Sequence, residues 1–290
     1  MKVLVTGGAG DVGEFVVERI KPNHEVVVID IKPPNRNTDV EFRNVDLLDP
    51  AATSEALADA DVVAHLAAIP HPFDDPGDRV MHVNMVSTYN VLEAVRNNDI
   101  RRIVYGGSDS ATGFGIHNTT YKPLYLPIDV GHPCWPHESY CLSKYFGEVM
   151  CREYSRAYGI EAISVRFLWV LLARNRESVE AILAAKAGGK ENWDWLCSYV
   201  MPQDVAQMVS QAVDYEMDKT APLPFEAFFA HAAQTYASMP TLDLARKIWG
   251  ELPEVRRPEY YQNDPNAPFF DLTNAYEKLG YRPEVRIEDF

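Results

Sequence analysis

The stretch that most restricts the fold is a glycine-rich turn that directly follows the first apolar run. The sequence VTGGAGDVG spans residues 5–13 and places Gly7, Gly10 and Gly13 three residues apart. A strand-like run, KVLVTG, leads into the turn, and a segment of helical period, residues 11–21, leads out of it. Glycines between a strand and a helix allow torsions closed to other residues, close approach of the backbone to a pyrophosphate and tight packing of helix on strand. The spacing therefore predicts a dinucleotide-binding turn, although a glycine turn that binds nothing is the simpler alternative.

Short runs of branched apolar residues alternate with longer helical stretches as far as residue 167. The later strand-like runs are EVVVID, VEFRNVDL, DVVAHLAA, RRIVYGGS and AISVRF, and the longer helical stretches are residues 79–98 and 138–158. This alternation predicts βαβ units and a parallel sheet buried on both faces. The expected fold class is α/β, with a doubly wound Rossmann domain over residues 1–167.

The pattern is looser after residue 167. Helices are predicted at residues 177–187, 203–214, 241–249 and 272–279, with a strand-like run, PFEAFFAH, between the second and the third. We expect residues 168–290 to form a smaller α+β lobe that binds substrate, with some return of the chain to the first domain. Residues 111–137 have no period and are predicted to form a long loop, a kind of segment that is usually functional.

Composition excludes several classes of partner. The formal net charge of -15 and the pI near 4.9 argue against nucleic acid and against an anionic membrane surface, because both would be repelled at long range. The four cysteines form no CxxC pair, which favours reduced thiols in the cytoplasm. No apolar stretch approaches the length of a membrane span, so a soluble cytoplasmic protein is expected.

A carboxylate ends the second strand-like run. Asp30 lies 17 residues after Gly13, where a carboxylate can accept both ribose hydroxyls of an adenosine. It would repel the 2'-phosphate of NADP, so NAD is the predicted cofactor. Lys32 and Arg36 follow closely, and positive charge beside the ribose would weaken that preference.

A tyrosine stands four residues before a lysine at two places in the chain. SYCLSK contains Tyr140 and Lys144, and YEMDK contains Tyr215 and Lys219. A phenol is a poor base at neutral pH unless a fixed cation stabilises its anion, and residues four apart share one face of a helix. The second pair follows a predicted helix in the looser region and has no serine at the end of a preceding strand, so we assign it to the solvated surface.

The motifs together resemble the extended short-chain dehydrogenase/reductases, the family of NAD-dependent sugar epimerases, dehydratases and dehydrogenases. Beyond the glycine turn, the resemblance is carried by VDLLD, HLAA, NMVSTYNVLEAV, RRIVYGGSDSATG, YCLSK, SVRF, YVMPQDVAQ and FFDLTNAYEKLGYRP, which span nearly the whole chain. It implies hydride transfer between NAD and a hydroxyl-bearing carbon. Ser108, Tyr140 and Lys144 occupy the positions of the family's catalytic residues.

The resemblance also implies a set of cofactor contacts. Asp46 and Leu47 match an adenine-contacting pair, the HLAA stretch lies beside the pyrophosphate, and Asn84 matches the first residue of the family's Asn-x-x-Gly-Thr-x-Asn helix. The full predicted set is Gly7, Gly10, Asp11, Val12, Gly13, Asp30, Asp46, Leu47, Leu66, Ala67, Ala68, Asn84, Tyr140, Lys144 and Phe167.

Two anchors that nucleotide-sugar epimerases use for uridine and diphosphate are missing. Their positions hold Leu168, Trp169 and Val170 after the sixth strand, and Cys197 and Ser198 before YVMPQDVA. Because a diphosphate needs charge-assisted donors, their loss weakens the interpretation as a nucleotide-sugar enzyme. Uronate dehydrogenases of the same family also lack them, and resemble this chain in GGSDSATGF and in NWDWLCSYV.

The substrate residues are the least patterned part of the site. Uronate dehydrogenases carry a carboxylate-binding arginine a few residues beyond the sixth strand, where this chain offers Arg174 and Arg176. Asp109 and Ser110, next to Ser108, are predicted to orient the substrate. A dehydrogenase of a sugar or sugar acid is therefore favoured. A UDP-glucose type 4-epimerase is the first alternative, and a non-catalytic NAD-binding sensor or scaffold is the second.

Two further predictions concern metals and assembly. The stretch IPHPFDDPGD contains His71, Asp74, Asp75 and Asp78 but no fixed ligand spacing, so no metal site is predicted. The resemblance implies a homodimer formed through the two long helices at residues 79–98 and 138–158.

Overall fold

A seven-stranded parallel sheet forms the centre of the protein. The computed structural model describes residues 1–114, 121–188 and 194–290. Within that part of the chain the strands are β1 (Lys2–Thr6), β2 (Glu25–Asp30), β3 (Glu41–Asn44), β4 (Val62–His65), β5 (Arg102–Ser108), β6 (Tyr125–Leu126), β7 (Glu161–Phe167), β8 (Phe225–Ala230) and β9 (Glu254–Val255). The large sheet has the order β3-β2-β1-β4-β5-β7-β8 with parallel neighbours throughout, and β6 pairs with β9 in a small second sheet. The predicted doubly wound α/β fold is confirmed.

Helices cover both faces of the large sheet. They are α1 (Gly13–Ile20), α2 (Pro50–Leu57), α3 (Gly77–Asn97), α4 (Ser139–Tyr158), α5 (Arg176–Ala187), α6 (Pro202–Asp214), α7 (Thr241–Trp249) and α8 (Pro258–Asn263). Alternate residues of β1 serve opposite faces, as the pleat requires: Val3 and Val5 pack in the core under α1 and α6, and Leu4 packs in the core under α2, α3 and α4. Burial on both faces explains why these strands are continuous apolar runs.

The chain beyond residue 167 contributes to both parts of the molecule. The strand-like run PFEAFFAH forms β8 at the edge of the large sheet, and α6 packs beside α1, so the chain does return to the first domain. A separate aromatic core lies in the second region and includes Leu168, Tyr261, Phe269 and Phe270. The division at residue 167 stays a prediction.

Several local features differ from the expectation. Helix α2 was not predicted, although Asp49 caps it by accepting hydrogen bonds from the amides of Ala51 and Ala52. The helix expected at residues 272–279 is a π-helical turn, Ala275–Leu279, followed by the fully buried Tyr281. The loop at residues 111–137 contains strand β6, and its residues 115–120 lie outside the described part of the chain. Of the helices that the structure describes, none combines the length and apolarity that crossing a bilayer requires.

Candidate active site

A cavity of about 740 Å³ runs along the carboxyl ends of the strands, from β3 to β7. The chain winds outward in both directions from β1, so the cavity lies at the switch point where doubly wound sheets bind their ligands. Of the predicted site residues, those that line it are Gly7, Gly10, Asp11, Val12, Gly13, Asp30, Asp46, Leu47, Leu66, Ala67, Ala68, Ser108, Asp109, Ser110, Tyr140, Lys144, Phe167 and Arg174.

The glycine turn has no room for side chains. Gly7 has φ +71°, and a Cβ added there would lie 2.6 Å from the amide nitrogen of Ala67. A Cβ on Gly13 would lie 2.1 Å from the carbonyl oxygen of Gly7, because helix α1 starts directly against the turn. At Gly7 and Gly13 the turn therefore presents bare backbone to the cavity, as a pyrophosphate cradle requires.

Asp30 ends β2 and is held by the backbone. Its carboxylate accepts hydrogen bonds from the amides of Ala9 at 3.2 Å and Ile31 at 2.8 Å. Lys32 lines the cavity near it, whereas Arg36 does not, and the Arg36 guanidinium lies 4.9 Å from the centroid of the Phe15 ring.

The loop that carries Arg36 is held by Glu14 at the start of α1. The Glu14 carboxylate accepts hydrogen bonds from the backbone amides of Asn35, Arg36 and Asn37. Only one of the two cations expected beside the ribose therefore reaches the cavity.

Ser108, Tyr140 and Lys144 lie together at the other end of the cavity. Ser108 is the last residue of β5, and Tyr140 and Lys144 are one turn apart near the start of α4. Glu138 caps that helix by accepting hydrogen bonds from the amides of Tyr140 and Cys141. Lys144 Nζ lies 5.9 Å from the centroid of the Tyr140 ring. The three residues are exposed by 4%, 8% and 6%, so each is largely buried and reaches the cavity with only a small part of its surface.

Burial shifts the pKa values of Lys144 and Tyr140. It lowers the pKa of Lys144 to about 8. It raises the pKa of Tyr140 above its ordinary value, and the neighbouring Ser108 hydroxyl opposes that shift. The phenol is therefore protonated at neutral pH, in the form that donates a proton.

Asp109 and Ser110 continue the line of polar groups from Ser108. The Ser108 hydroxyl donates to the Asp109 carboxylate at 3.3 Å and accepts from the Ser110 amide at 3.1 Å. Burial raises the pKa of Asp109 to about 7. Near neutral pH this carboxyl is thus divided between its acid and its anion.

Asn84 lies outside the cavity lining. Its amide group bonds to both backbone groups of Ile69, at 2.7 and 3.1 Å, and donates to the Ser143 hydroxyl at 3.0 Å. It therefore ties the segment after β4 to helix α4. Asn84 is thus one residue behind the lining, and its predicted contact with the cofactor stays a prediction.

The two candidate arginines are in different surroundings. Arg174 lines the cavity and forms an ion pair with Asp11 of the glycine turn. The Arg176 guanidinium lies 5.5 Å from the centroid of the Phe290 ring and takes no part in the lining. Tyr215 of the second tyrosine–lysine pair packs on Phe228, outside the cavity.

Sequence reasoning missed several lining residues. They follow strands β2, β3, β4 and β7 directly or lie in the first turns of α3: Ile31, Leu48, Ile69, Pro70, His71, Phe73, Arg79, Val83, Leu172 and Asn175. Their position after parallel strands was the available signal, because those strand ends meet at one edge of the sheet. No group of three metal-ligating side chains occurs within the described ranges. In the motif NWDWLCSYV, Asn192 and Trp193 lie outside those ranges.

Comparison with known proteins identifies a family. Residues 3–192 match the model of the NAD dependent epimerase/dehydratase family. A putative UDP-glucose 4-epimerase of Methanocaldococcus jannaschii is 36% identical over 57% of this chain and 54% of its own length. An L-arabinose 1-dehydrogenase (NAD(P)(+)) of Haloferax volcanii is 34% identical over 59% of this chain and 68% of its own. The matched region spans little more than half the length of the first of these relatives.

Two further similarities extend over more of the chain. A uronate dehydrogenase of Pseudomonas putida is 26% identical over 73% of this chain and 71% of its own length. The crystal structure of a UDP-galactose 4-epimerase superposes with a TM-score of 0.70 at 26% identity, over all of this chain and 97% of that one. The resemblance to epimerase and uronate dehydrogenase relatives is thus confirmed.

Proposed function

The chain belongs to the NAD-dependent epimerase/dehydratase family, and from that premise we propose that it is an NAD-dependent oxidoreductase acting at a hydroxyl-bearing carbon of a sugar or sugar acid. One observation carries the proposal. A single cavity has the glycine turn and Asp30 at one end and Ser108, Tyr140 and Lys144 at the other. Such a cavity holds a dinucleotide with its reactive end beside a proton-exchanging group.

The residues present fit NAD. The bare backbone of Gly7 and Gly13 would hold the pyrophosphate, and Asp30 would accept the hydroxyls of the adenosine ribose. Ile31, Asp46, Leu47 and Leu48 line the same end of the cavity as Asp30 and would contact the adenine. When bound, NAD supplies the site that takes or returns a hydride.

Three side chains handle the proton. Ser108 holds the reacting oxygen by a hydrogen bond, and Tyr140 exchanges a proton with the same oxygen. Lys144 supplies the cation that favours the phenolate, and its hydrogen bond to the carbonyl of Gly106 at 2.8 Å fixes it in place. The low exposure of all three limits their contact with bulk solvent.

The lining beyond β7 favours a dehydrogenase over a nucleotide-sugar epimerase. Leu168, Trp169 and Val170 line the cavity where the epimerases have an anchor for their nucleotide, and they offer no charged donor to a diphosphate. Cys197 and Ser198 are buried and lie outside the lining. The alternative of a UDP-glucose type 4-epimerase is supported by the similarity to the Methanocaldococcus protein and to the UDP-galactose 4-epimerase structure.

Absorbance of the reduced nicotinamide tests this function. The protein is mixed with NAD and, in turn, aldoses, uronic acids and UDP-sugars. A dehydrogenase accumulates NADH in proportion to the substrate consumed. An epimerase converts a UDP-sugar to its epimer without net NADH, and a non-catalytic NAD-binding protein changes none of the substrates although it binds NAD.

We further propose a cytoplasmic homodimer. Helices α3 and α4 pack side by side and expose Tyr89, Phe146 and Tyr158, large apolar side chains that a second copy would cover. The four cysteines are free, which suits a reducing compartment. Light scattering coupled to gel filtration should give twice the monomer mass, and Phe146→Lys should shift it to the monomer.

A further inference from the structure

The reacting end of the cavity has little positive charge available to a substrate. Within the described residues, the basic side chains that line the cavity are Lys32, His71, Arg79, Lys144 and Arg174. A substrate carboxylate or diphosphate would need at least one of them as a charge-assisted donor. The position and partner of each therefore decide which substrates the cavity can hold.

Arg174 is directed at the cofactor's end of the cavity. Its partner is Asp11, which belongs to the glycine turn, and the two side chains are exposed by 53% and 62%. A pair this exposed is weak and is readily exchanged for another anion. The anion nearest to that turn would be the pyrophosphate of NAD, so Arg174 serves the cofactor more directly than it serves a substrate carboxylate.

The other lining cations are hydrated, engaged or distant. Arg79 pairs with Asp75 at 3.1 Å, and its side chain is 67% exposed, so its charge is largely satisfied by solvent. Lys144 donates to the carbonyl of Gly106. His71 stacks on Phe73, with Asp74 3.5 Å from its Nε2. Lys32 follows β2, which lies three strand positions from Ser108 at the end of β5, or about 14 Å.

An acid, by contrast, lies directly beside the reacting position. The Asp109 side chain is 7% exposed, lines the cavity and bonds to the Ser108 hydroxyl. No ion pair joins Asp109 to any basic side chain in the described ranges. A substrate carboxylate here would meet this acid, whereas a sugar hydroxyl would give it the hydrogen bond that a buried polar group requires.

We infer that the substrate is an uncharged free sugar, and that Asp109 accepts a hydrogen bond from the hydroxyl next to the reacting carbon. This inference rests on the proposed function and narrows its substrate class by excluding the uronates. Asp109 then acts as the specificity residue, and Arg174 belongs to the cofactor site.

Paired substrates that differ only at C6 test the inference. D-galactose and D-galacturonate present the same ring, with a hydroxymethyl group in one and a carboxylate in the other, and D-glucose and D-glucuronate form a second pair. We expect kcat/KM for the better aldose to exceed that of its uronate by at least about tenfold, because the site must leave a carboxylate unpaired. Equal or faster turnover of the uronate would overturn the inference.

Two variants separate the roles of Asp109 and Arg174. Asp109→Asn keeps the shape and removes the charge, so it should lower kcat/KM for the aldose and reduce the preference for the aldose by at least about tenfold.

Arg174→Gln should raise the Kd of NAD and leave the KM of the aldose unchanged at saturating NAD. Arg176→Gln, outside the cavity, is the matched control. If Arg174→Gln raises only the KM of a uronate, Arg174 is a substrate ligand and the assignment is wrong.

Isothermal titration calorimetry tests the inference even if the protein converts no sugar. If NAD binds and no sugar of any class is converted, the proposed function fails. Titration of the protein–NADH complex with galactose and with galacturonate still compares the two classes. Binding of galactose alone supports the inference, and binding of galacturonate alone, or of neither sugar, defeats it.

Discussion

Lys144 Nζ lies 5.9 Å from the centroid of the Tyr140 ring and donates a hydrogen bond to the carbonyl of Gly106 at 2.8 Å. Helix α4 sets the spacing of the two side chains, and strand β5 holds the ammonium in place. Among the residues that the structure describes, no carboxylate forms a salt bridge with Lys144, so its charge acts on the phenol beside it.

Tyr140→Phe should lower kcat by about 10²- to 10⁴-fold, because it removes the hydroxyl that exchanges the proton. The Kd of NAD should stay close to that of the parent protein, since the ring is retained. Steady-state absorbance and fluorescence titration measure the two quantities. Tyr215→Phe, in the second tyrosine–lysine pair, is the matched control and should leave both unchanged. Retained turnover in Tyr140→Phe would refute the assignment.

Gly13→Ala should abolish NAD binding and destabilise the protein. The added methyl would lie 2.1 Å from the carbonyl oxygen of Gly7 and 2.7 Å from the Cα of Gly8, so the turn has to move. Overpacking of this kind costs about 1–3 kcal/mol. Urea denaturation and NAD titration check both effects. Gly188→Ala adds the same methyl at an ordinary contact distance of 3.4 Å, and it should bind NAD normally.

Asp109→Asn should stabilise the protein at high pH and less so at low pH. Burial raises the pKa of Asp109 to about 7, from 3.8, so the folded protein holds a proton that the unfolded chain has released between those values. Wild-type stability therefore falls as the pH rises through that window, and the asparagine variant lacks this loss. The pH-dependent part of this gain should be on the order of 4 kcal/mol at pH 8.

Urea denaturation of both proteins at pH 5, 6.5 and 8 measures the difference in free energy of unfolding. The difference should grow with pH. Glu216→Gln, at an exposed position, should show no such trend. A difference that is the same at all three pH values would show that the Asp109 carboxyl titrates normally.

Arg166→Met should cost about 3–5 kcal/mol of stability, because it leaves the buried Glu148 carboxylate without its cation. The guanidinium donates to Glu148 at 2.7 and 2.9 Å, and both residues are buried between β7 and α4. The double change Arg166→Met with Glu148→Leu should recover much of the loss. Arg156→Ala, which breaks the exposed pair with Glu153, should leave the denaturation midpoint nearly unchanged. A double variant no more stable than Arg166→Met would contradict this account.

The elements that sequence predicts well are those with a strong local pattern. Helices α3 and α4 agree with the expected segments to within two residues, because both have a clear apolar face toward the sheet. Helix α2 was missed because its buried side chains are small, so its period is weak, although the Asp49–Pro50 start was a usable signal. Helix α8 was also not predicted. It has only six residues, too few to show a helical period, although Tyr261 is buried in the core of the second region.

The sequence did not predict which charged side chains reach the cavity or pair with one another. Lys32 and Arg36 are four residues apart and both were expected beside the ribose, yet only Lys32 lines the cavity. Glu14, from the start of α1, holds the backbone of the Arg36 loop. Arg174 and Asp11 are 163 positions apart, and nothing in either local sequence indicates their pairing.

The sequence by itself determined the strand–turn–helix unit at Gly7–Gly13, the parallel sheet and the placement of Tyr140 one helical turn before Lys144. These follow from steric limits and from the periods of strand and helix, which act over a few neighbouring residues. Only the tertiary structure decided that Arg174 pairs with Asp11 of the glycine turn and that Asp109 is a buried acid beside Ser108. Burial and charge pairing depend on segments that meet only after the chain has folded, and so they leave no local pattern in the sequence.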